Sequence, residues 1–441
     1  MVLKKKIKII IFIIMISINI IPIILVFLPS GGGSWKYFLG NEDSFYIPLD
    51  ISNDGKYIVV GKGDQMHLFE SSSSQPIWSY RFDHDITNLA ISDDGYYIIT
   101  SIEIEDRVFL FHRSSSIPLW SYTIGDSIKD LDLSYNGEYI VVGSLYLYLF
   151  QRSSEVPIWN FSEISGGIWS GIDTMKISSD GNYIIAGERN DRIFYFERTS
   201  STPLWTYTHN TYPVNLAISS NGAFCVFGGN TGIFFFNSEI EDPKTFIWEY
   251  GYTINDLAIS SDANQIIAGG LSGNFYFFEN KASIPTLEGD TNSRAEVAIS
   301  TEGNFFLIGC YDGNFYFYNK DQSEPILTFQ LNAIIEDLAI SSEGRCFAAT
   351  TINYLFVILK NNPVIIEGVQ ALTFIGYISL GVVLALDAVI GLTFLIKSRL
   401  KTVDREIELQ REEKVKESSK IIDRLDKTYE EWEDEKDKKK N

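Results

Sequence analysis

The stretch that decides the fold is Asn88-Leu89-Ala90-Ile91-Ser92-Asp93-Asp94-Gly95, which returns late in the chain as Asp337-Leu338-Ala339-Ile340-Ser341-Ser342-Glu343-Gly344. Its last residue recurs at a nearly constant spacing, and alanine replaces glycine once. The eight positions are Gly55, Gly95, Gly137, Gly181, Gly222, Ala263, Gly303 and Gly344, at intervals of 40, 42, 44, 41, 41, 40 and 41 residues. Self-similarity at this period predicts a repeat architecture.

Each repeat contains four stretches that are typical of β-strands. In the unit that opens at Pro118, an aromatic segment precedes an alternating stretch at residues 130–134, and apolar runs follow at 139–143 and 145–150. Alternation at period two and β-branched or aromatic content both indicate strands. An Asp-Gly or Asn-Gly pair supplies the positive φ that a tight turn needs. Four strands in about 41 residues are typical of one β-propeller blade.

The number of opening strands predicts how the ring closes. They are marked by Trp35, Trp78, Trp120, Trp159, Trp205, Trp248, Leu287 and Leu327. If each opening strand is the outer strand of the preceding blade, the one at Trp35 is left to complete the last blade, near residues 335–359. We therefore predict an all-β, eight-bladed propeller at residues 34–361, with seven blades as the alternative. Because six tryptophans recur at one slot, we expect them to pack between blades.

Two phrases carry a family resemblance, Ser115-Ser116-Ile117-Pro118-Leu119-Trp120-Ser121-Tyr122 and Leu89-Ala90-Ile91-Ser92. The repeats resemble WD-repeat and quinoprotein-like propellers over roughly residues 35–360, and the phrases look like those of membrane-attached archaeal propeller proteins. No repeat carries the Trp-Asp ending of a WD repeat. The three cysteines, Cys225, Cys310 and Cys346, include no adjacent pair of the kind found in quinoprotein dehydrogenases, which disfavours quinone chemistry.

Long apolar runs flank the repeats. Residues 9–28 follow four lysines within residues 1–8, and residues 371–396 precede Lys397, Arg399 and Lys401. Runs of this length can span a bilayer, and basic flanks favour the cytoplasmic side. We predict a signal anchor at residues 1–30 and a second transmembrane helix at residues 371–396. The propeller is then extracytoplasmic on the cell membrane, with both termini cytoplasmic.

Cleavage of the N-terminal segment as a signal peptide is the alternative, because Ser30-Gly31-Gly32 offers small residues at a suitable spacing. If both spans persist, Asn19 and Asp387 lie at matching depth and are intramembrane polar candidates for pairing. The rival interpretation is a protonated Asp387 that bonds to a neighbouring copy of its own helix.

Charge and the C-terminal tail restrict the partners. The chain holds 36 basic and 57 acidic residues, of which residues 29–396 carry 18 and 43, a net charge of −25. This acidity disfavours nucleic acid as a partner. Residues 397–441 read as a charged cytoplasmic helix or short coiled coil. Its apolar seam is Val415, Ser418, Ile422, Leu425, Tyr429 and Trp432. That seam fits self-association, a partner helix or a solvated stalk.

No catalytic constellation, metal-ligand spacing or cofactor motif is found in the sequence. The expectation is therefore a non-enzyme without a cofactor. The cysteines fall at different offsets within their repeats, which favours buried free thiols over a disulfide. Asn160-Phe161-Ser162 is a candidate glycosylation motif.

One slot looks more than structural, at the start of each inner strand. It holds Pro48, Asn88, Asp130, Thr174, Asn215, Asp256, Glu296 and Asp337. In the resembled families this slot surrounds one mouth of the central channel, where partners dock. The binding-face candidates are Asn88, Asp130, Asn215, Asp256, Glu296 and Asp337, and the alternative is that they only bond to neighbouring turns. We predict a membrane-anchored protein-binding or scaffolding module. The alternatives are a quinoprotein-like enzyme and a receptor that couples outside binding to the cytoplasmic helix.

Overall fold

The computed structural model describes residues 34–41, 44, 46–162, 171–208, 213–238, 246–251 and 253–360, which all belong to one compact unit. Strand β1 is Trp35–Phe38. Blade 1 is β2 (Leu49–Ile51), β3 (Tyr57–Lys62), β4 (Gln65–Glu70) and β5 (Pro76–Arg81). Blade 2 is β6 (Ile86–Ile91), β7 (Tyr97–Ile102), β8 (Arg107–His112) and β9 (Trp120–Thr123). Blade 3 is β10 (Asp130–Leu133), β11 (Tyr139–Gly143), β12 (Leu147–Gln151) and β13 (Trp159–Phe161).

The later blades repeat this plan. Blade 4 is β14 (Ile172–Ile177), β15 (Tyr183–Glu188), β16 (Arg192–Glu197) and β17 (Trp205–Thr208). Blade 5 is β18 (Pro213–Ile218), β19 (Phe224–Gly229), β20 (Gly232–Asn237) and β21 (Phe246–Tyr250). Blade 6 is β22 (Ile254–Ile259), β23 (Gln265–Gly270), β24 (Asn274–Glu279) and β25 (Leu287–Asp290). Blade 7 is β26 (Ala295–Ile299), β27 (Phe305–Cys310), β28 (Asn314–Asn319) and β29 (Leu327–Gln330). Blade 8 adds β30 (Ile335–Ile340), β31 (Cys346–Thr351) and β32 (Tyr354–Leu359).

The ring closes as the count of opening strands predicts. Blade 8 has the order β1-β32-β31-β30, so the first strand of the propeller pairs with its last one. The pairing is antiparallel and runs from Trp35 opposite Val357 to Phe38 opposite Tyr354. The prediction of eight blades is confirmed. The seven-bladed alternative is wrong, because the units at Leu287 and Leu327 form regular four-stranded blades.

The two faces of the propeller differ in which connections they carry. The hairpin face holds the turns between second and third strands and the connections between blades. The two kinds of loop are bonded to each other there: Glu103 N, in the β7–β8 turn, donates to Asp85 O, in the connection between blades 1 and 2, at 2.8 Å. The terminal face holds the turns between first and second strands and the loops that lead to the outer strands. There Arg113 N donates to Tyr96 O at 2.8 Å.

Side-chain bonds within the repeated phrase form the turn after each inner strand. The serine hydroxyl accepts the backbone N–H five residues later, as from Tyr57 to Ser52 at 2.9 Å and from Tyr97 to Ser92 at 3.0 Å, and all eight blades repeat this bond. In blade 1 the same hydroxyl donates to Asp54 Oδ1 at 2.6 Å. Local bonds of this type favour turns over continued strands.

The recurring tryptophans connect neighbouring blades. Trp78 stacks on Phe111 of the next blade with ring centroids 5.9 Å apart, and its Nε1 donates to Arg113 O at 2.7 Å. Trp35, Trp120 and Trp159 make the equivalent Nε1 bond to Ser71, Arg152 and Arg198. For these positions, the prediction that tryptophan packs between blades is confirmed.

Several sequence predictions fall on other parts of the chain. The two membrane segments, with Asn19 and Asp387, and the tail at residues 397–441 lie outside the described residues. Within the described ranges, no helix has the length and apolar character needed to cross a membrane. Asn160 is exposed on the outer strand β13, and its glycosylation stays a prediction.

Candidate functional site at the central channel

The predicted slot residues lie where the inner strands begin, at the channel mouth on the hairpin face. A β-bulge directly precedes the slot in five blades. The bulged pairs are Ile86/Asn88, Ile172/Thr174, Pro213/Asn215, Ile254/Asp256 and Ile335/Asp337. A bulge bends its strand and changes the direction of the next side chain. The fold therefore gathers these side chains around one opening.

The slot carboxylates join consecutive blades. Asp337 Oδ2 accepts from Leu49 N of blade 1 at 2.8 Å, and Asp256 Oδ2 accepts from Val297 N of blade 7 at 2.8 Å. Asp130 does the same toward blade 4. In each case Oδ1 accepts the N–H of the following residue in its own strand. Inner strands have an unpaired edge along the channel, so these carboxylates satisfy N–H groups that the sheet cannot.

The remaining binding-face candidates are also hydrogen-bonded. Asn88 Nδ2 donates to Thr87 Oγ1 and to Ser101 Oγ, each at 3.2 Å. Asn215 Nδ2 donates to Asp256 Oδ1. These bonds agree with the alternative interpretation that the slot residues bond to neighbouring parts of the propeller. Their partners, however, are residues in strands rather than in turns.

Glu296 sits in a small charged group on the same mouth. Its Oε1 accepts from Arg294 at 2.8 Å and from Asn255 Nδ2 at 3.0 Å. The Arg294 guanidinium also lies over the Tyr311 ring, 4.5 Å from the centroid. Burial raises the pKa of nearby Glu336, and the charge of Glu296 adds to the rise. Arg294 is 38 % exposed at its side chain, so this group is accessible from the hairpin face.

A second layer of charged residues lies one step further along the inner strands, and sequence reasoning missed it. Asp50, Asp132 and Lys176 occupy the slot two residues after the mouth slot. The other five blades have alanine there, namely Ala90, Ala217, Ala258, Ala298 and Ala339. The sequence signal for this layer was that these three blades lack the alanine of the repeated Leu-Ala-Ile-Ser phrase. Asp50 Oδ2 and Asp132 Oδ2 accept from Ile91 N and Ile177 N of the next blade at 2.8 and 2.9 Å.

Burial and mutual repulsion raise the pKa values of the carboxyl groups in the channel. Burial raises the pKa of Asp50 to about 6 and that of Asp337 to about 7, although backbone N–H donors lower both. Burial also raises the pKa of Asp132, and burial together with Glu296 raises that of Asp256 well above its usual range. These carboxyl groups therefore hold protons at pH values where an exposed aspartate is ionised.

Lys176 is the cation of this layer. Burial alone lowers its pKa, but the surrounding carboxylates outweigh burial and the net direction is upward. The carboxylates that act on it are Asp130, Asp132, Asp50 and Asp256. Lys176 is thus charged throughout the physiological range and partly compensates the acidic channel.

The opposite mouth, on the terminal face, is ringed by the turns that follow the inner strands. Backbone bonds join several consecutive turns, for example Asn53 N to Asp93 O at 2.8 Å and Tyr135 N to Ser179 O at 2.9 Å. A cavity of about 630 Å³ opens there, and its lining includes Asp93, Tyr96, Arg113 and Tyr135. Burial raises the pKa of Asp93 to about 7, and the charges of Asp50, Asp132 and Asp94 add to the rise.

Cys225, Cys310 and Cys346 are free and buried, which confirms the prediction for the thiols. Burial raises the pKa of Cys310 to about 11 and that of Cys346 to about 12, so neither is a ready nucleophile. Among the residues that the structure describes, no group of three or more His, Cys, Asp or Glu side chains is arranged to hold a metal ion.

Comparison with solved structures supports the fold. The chain is similar to the C-terminal WD40 domain of Sif2, with 15% identity, a TM-score of 0.61, and coverage of 71% of this chain and 95% of that one. It is also similar to Saccharomyces cerevisiae Sqt1, with 11% identity, a TM-score of 0.60, and coverage of 75% and 100%. Chaetomium thermophilum Sqt1 bound to the N-terminus of the ribosomal protein L10 matches with 12% identity, a TM-score of 0.62, and coverage of 74% and 100%.

The resemblance to WD-repeat propellers is thereby confirmed at the level of fold. No protein-family model and no curated protein sequence matches the chain. At these identities the likeness extends to the architecture alone.

Proposed function

We propose that this chain is a membrane-anchored, extracytoplasmic β-propeller that serves as a protein-binding or scaffolding module. One observation carries the proposal: the propeller begins and ends on the terminal face, where Trp35 lies opposite Val357 in adjacent strands. Apolar anchors at residues 9–28 and 371–396 would hold that face toward a bilayer. The hairpin face, with the channel mouth and Glu296, then points away from the membrane and is free for partners.

Charge on the hairpin face favours a basic partner. The loops of blades 1 to 3 on this face carry Asp64, Asp83, Asp85, Glu103, Glu105, Asp106 and Asp126. The basic residues beside them are Arg81, Arg107 and Lys129, and Arg81 is already bonded to Asp64 at 2.7 Å. Excess negative charge on one surface attracts a cationic segment and excludes nucleic acid. The partner class is therefore a protein segment rich in lysine or arginine.

We call these acidic loops of blades 1 to 3 the acidic arc. An exposed apolar side chain lies within it. Ile104 is 74% exposed at the tip of the β7–β8 hairpin and has a φ of 70°. A β-branched residue in the left-handed region is strained, and such strain clusters at binding sites. Ile104 offers a partner a hydrophobic contact flanked by Glu103 and Glu105.

The hydrogen bonds of the channel carboxylates favour binding over catalysis. The carboxylates of Asp130, Asp256 and Asp337 are engaged with backbone N–H groups of two blades. One similar structure is a propeller bound to the N-terminus of a ribosomal protein, which is a precedent for a peptide segment as ligand. Pairing of the predicted helix at residues 397–441 between copies would make such a scaffold multivalent.

Site-specific photo-crosslinking tests the proposal. A photoreactive side chain replaces Ile104 in the full chain, expressed in its native membranes, and crosslinked partners are identified by mass spectrometry. We expect one protein partner whose capture decreases with added salt, because exposed charges beyond about 10 Å are screened at 0.1 M. Replacing both Glu103 and Glu105 by lysine should abolish the capture.

Reversal of both Glu302 and Glu324 to lysine is the matched control. These exposed acidic residues lie in two loops of the terminal face of blade 7, so their reversal makes the same change in net charge without touching the acidic loops of blades 1 to 3. Capture that survives reversal of Glu103 and Glu105, or that is lost equally with reversal of Glu302 and Glu324, would contradict the proposed binding face.

A further inference from the structure

Exposed aliphatic side chains recur on the loops that lead into the outer strands. Ile117 is 73%, Val156 63% and Ile284 74% exposed, each directly before a proline. Further residues stand beside the tryptophan of the same strands: Ile77, Leu119, Ile158 and Leu204. Together the members from blades 1 to 4 form what we call the aliphatic rim, namely Ile77, Ile117, Leu119, Val156, Ile158 and Leu204. The same position carries an exposed aliphatic side chain on four consecutive blades, so these residues follow one arc of the ring.

The aliphatic rim lies on the terminal face, where the chain enters and leaves the propeller. Lys360 N donates to Arg345 O at 2.6 Å, which is the blade 8 equivalent of the bond from Arg113 to Tyr96. Trp35 Nε1 donates to Ser71 O, in the blade 1 loop that precedes Ile77. Both ends of the propeller therefore stand beside blade 1, at one end of the rim.

Chain length limits how far this face can be from a bilayer. Six residues separate the apolar run 9–28 from Trp35, and ten separate Lys360 from the run at 371–396. A fully extended chain spans about 3.5 Å per residue, so the shorter connection reaches at most about 20 Å. That is about the height of one blade strand of six residues. If residues 9–28 and 371–396 are anchored in a bilayer as proposed, the terminal face would stay close to the lipid surface.

We propose that the aliphatic rim of blades 1 to 4 rests on the membrane interface and inserts its side chains among the lipid headgroups. The partner is a neutral lipid surface, because residues 29–396, which include the whole propeller, have a net charge of −25 and would be repelled by anionic lipid. The rim is built of isoleucine, leucine and valine, whereas protein hot spots favour tryptophan, tyrosine and arginine. This inference deepens the proposed function and depends on its membrane anchoring.

Lipid-borne quenching of a fluorophore tests the contact. The full chain, with Ile117→Cys or Val156→Cys labelled by an environment-sensitive dye, is reconstituted into phosphatidylcholine vesicles that carry a nitroxide on the acyl chain. Native thiols do not interfere, since Cys225, Cys310 and Cys346 are 0, 0 and 2% exposed. Interfacial residues lie within about 5–10 Å of the acyl boundary, so we expect quenching at least about twofold stronger than at a control site.

Ile104→Cys is that control, because Ile104 is an isoleucine of nearly equal exposure, 74%, on the hairpin face. Equal quenching at 104, 117 and 156 overturns the lipid contact, and stronger quenching at 104 overturns the orientation. A label at position 117 that is protected from aqueous iodide but is not quenched by the nitroxide lipid would mean that a protein covers the rim, which also overturns the lipid contact. Failure of the labelled protein to float with the vesicles overturns the anchoring itself, which separates the two proposals.

Discussion

The turn that follows each inner strand places two demands on one residue. At Gly222 φ is 75°, and a Cβ built there would lie 2.4 Å from Cδ2 of Tyr183 in the preceding blade. Glycine is thus needed for its backbone conformation and for the close approach of two blades. Ala263 fills the same slot in blade 6, with a φ of 58° and a fully buried methyl group.

Gly222→Ala should therefore destabilise the protein far more than Ala263→Gly. The first change adds a left-handed alanine, at about 1–2 kcal/mol, and overpacking against Tyr183, at about 1–3 kcal/mol. The second relieves the same backbone strain but loses a buried methyl group worth about 0.8 kcal/mol, so its net effect is small. Denaturant unfolding of the full chain in detergent measures both.

Gly125→Ala separates the two causes. Gly125 has a φ of 86° with no atom within 4 Å of the built Cβ, so it reports backbone strain alone. Equal losses for Gly222→Ala and Gly125→Ala would show that contact with Tyr183 contributes nothing.

At the scale of elements, the strand pattern was readable because it is local. Period-two alternation, the turn glycine and the tryptophan slot each lie within one repeat, and the unmatched strand at Trp35 gave the closure. The bulges before Asn88 and Asp256 were not readable. They depend on how each inner strand meets its neighbour, and no residue type in the repeat encodes that geometry.

Lys62 secures the closure of the ring. This side chain is 3% exposed, and its Nζ donates to Gly40 O, in the loop after β1, at 2.7 Å and to Ile352 O in blade 8. Lys62→Met keeps most of the volume but removes these donors, and we expect it to destabilise the protein by about 1–3 kcal/mol. The thermal midpoint of the full chain measures the loss.

Lys56→Met is the control for Lys62→Met. Its side chain is 52% exposed and only 3.9 Å from Glu70, a surface pair worth about 0–1 kcal/mol. If Lys62→Met and Lys56→Met have the same midpoint, the buried contacts of Lys62 do not hold the ends together.

At the scale of the whole molecule, the channel collects charges that no single repeat contains. Asp50, Asp132 and Lys176 are 44 to 126 residues apart and meet only because the ring closes. Sequence reasoning found the mouth slot because it recurs in every unit. It missed the second layer because five blades show alanine there, and a charge in the remaining three looked like variation.

Asp93 makes the stability of the propeller depend on pH. Burial raises its pKa to about 7 from an ordinary value of 3.8, so between these values the native state holds a proton that the unfolded chain releases. This stabilising contribution is complete below pH 3.8 and is lost as pH rises through about 7. Asp93→Asn should therefore raise stability by about 1–3 kcal/mol at pH 8 and leave it unchanged at pH 4.

Asp94→Asn tests whether the effect belongs to the channel side of this turn. Asp94 Oδ1 accepts from Ser92 Oγ at 2.7 Å, and Asn136 and Asn221 occupy its slot in other blades, so an amide is tolerated. We expect a change below about 0.5 kcal/mol at either pH. A gain with Asp93→Asn that is equal at pH 4 and pH 8 would contradict the raised pKa.

Lys176 should show the opposite dependence on pH. Lys176→Ala restores the residue that five blades carry at this slot, so the loss of packing is small. Removing the cation from among Asp130, Asp132 and Asp50 removes the charge that compensates these carboxylates. Lys176 is only half-buried, and unit charges a few ångströms apart interact by about 1–4 kcal/mol where solvent has access, so we expect a loss of about 1–2 kcal/mol at pH 8. At pH 4 the loss should be smaller, because Asp50, with a pKa of about 6, is protonated and no longer needs the cation.

Denaturant unfolding at both pH values, with Lys56→Ala as the exposed control, measures the difference. A loss that is the same at pH 4 and pH 8 would mean that Lys176 acts through its packed methylenes rather than through its charge.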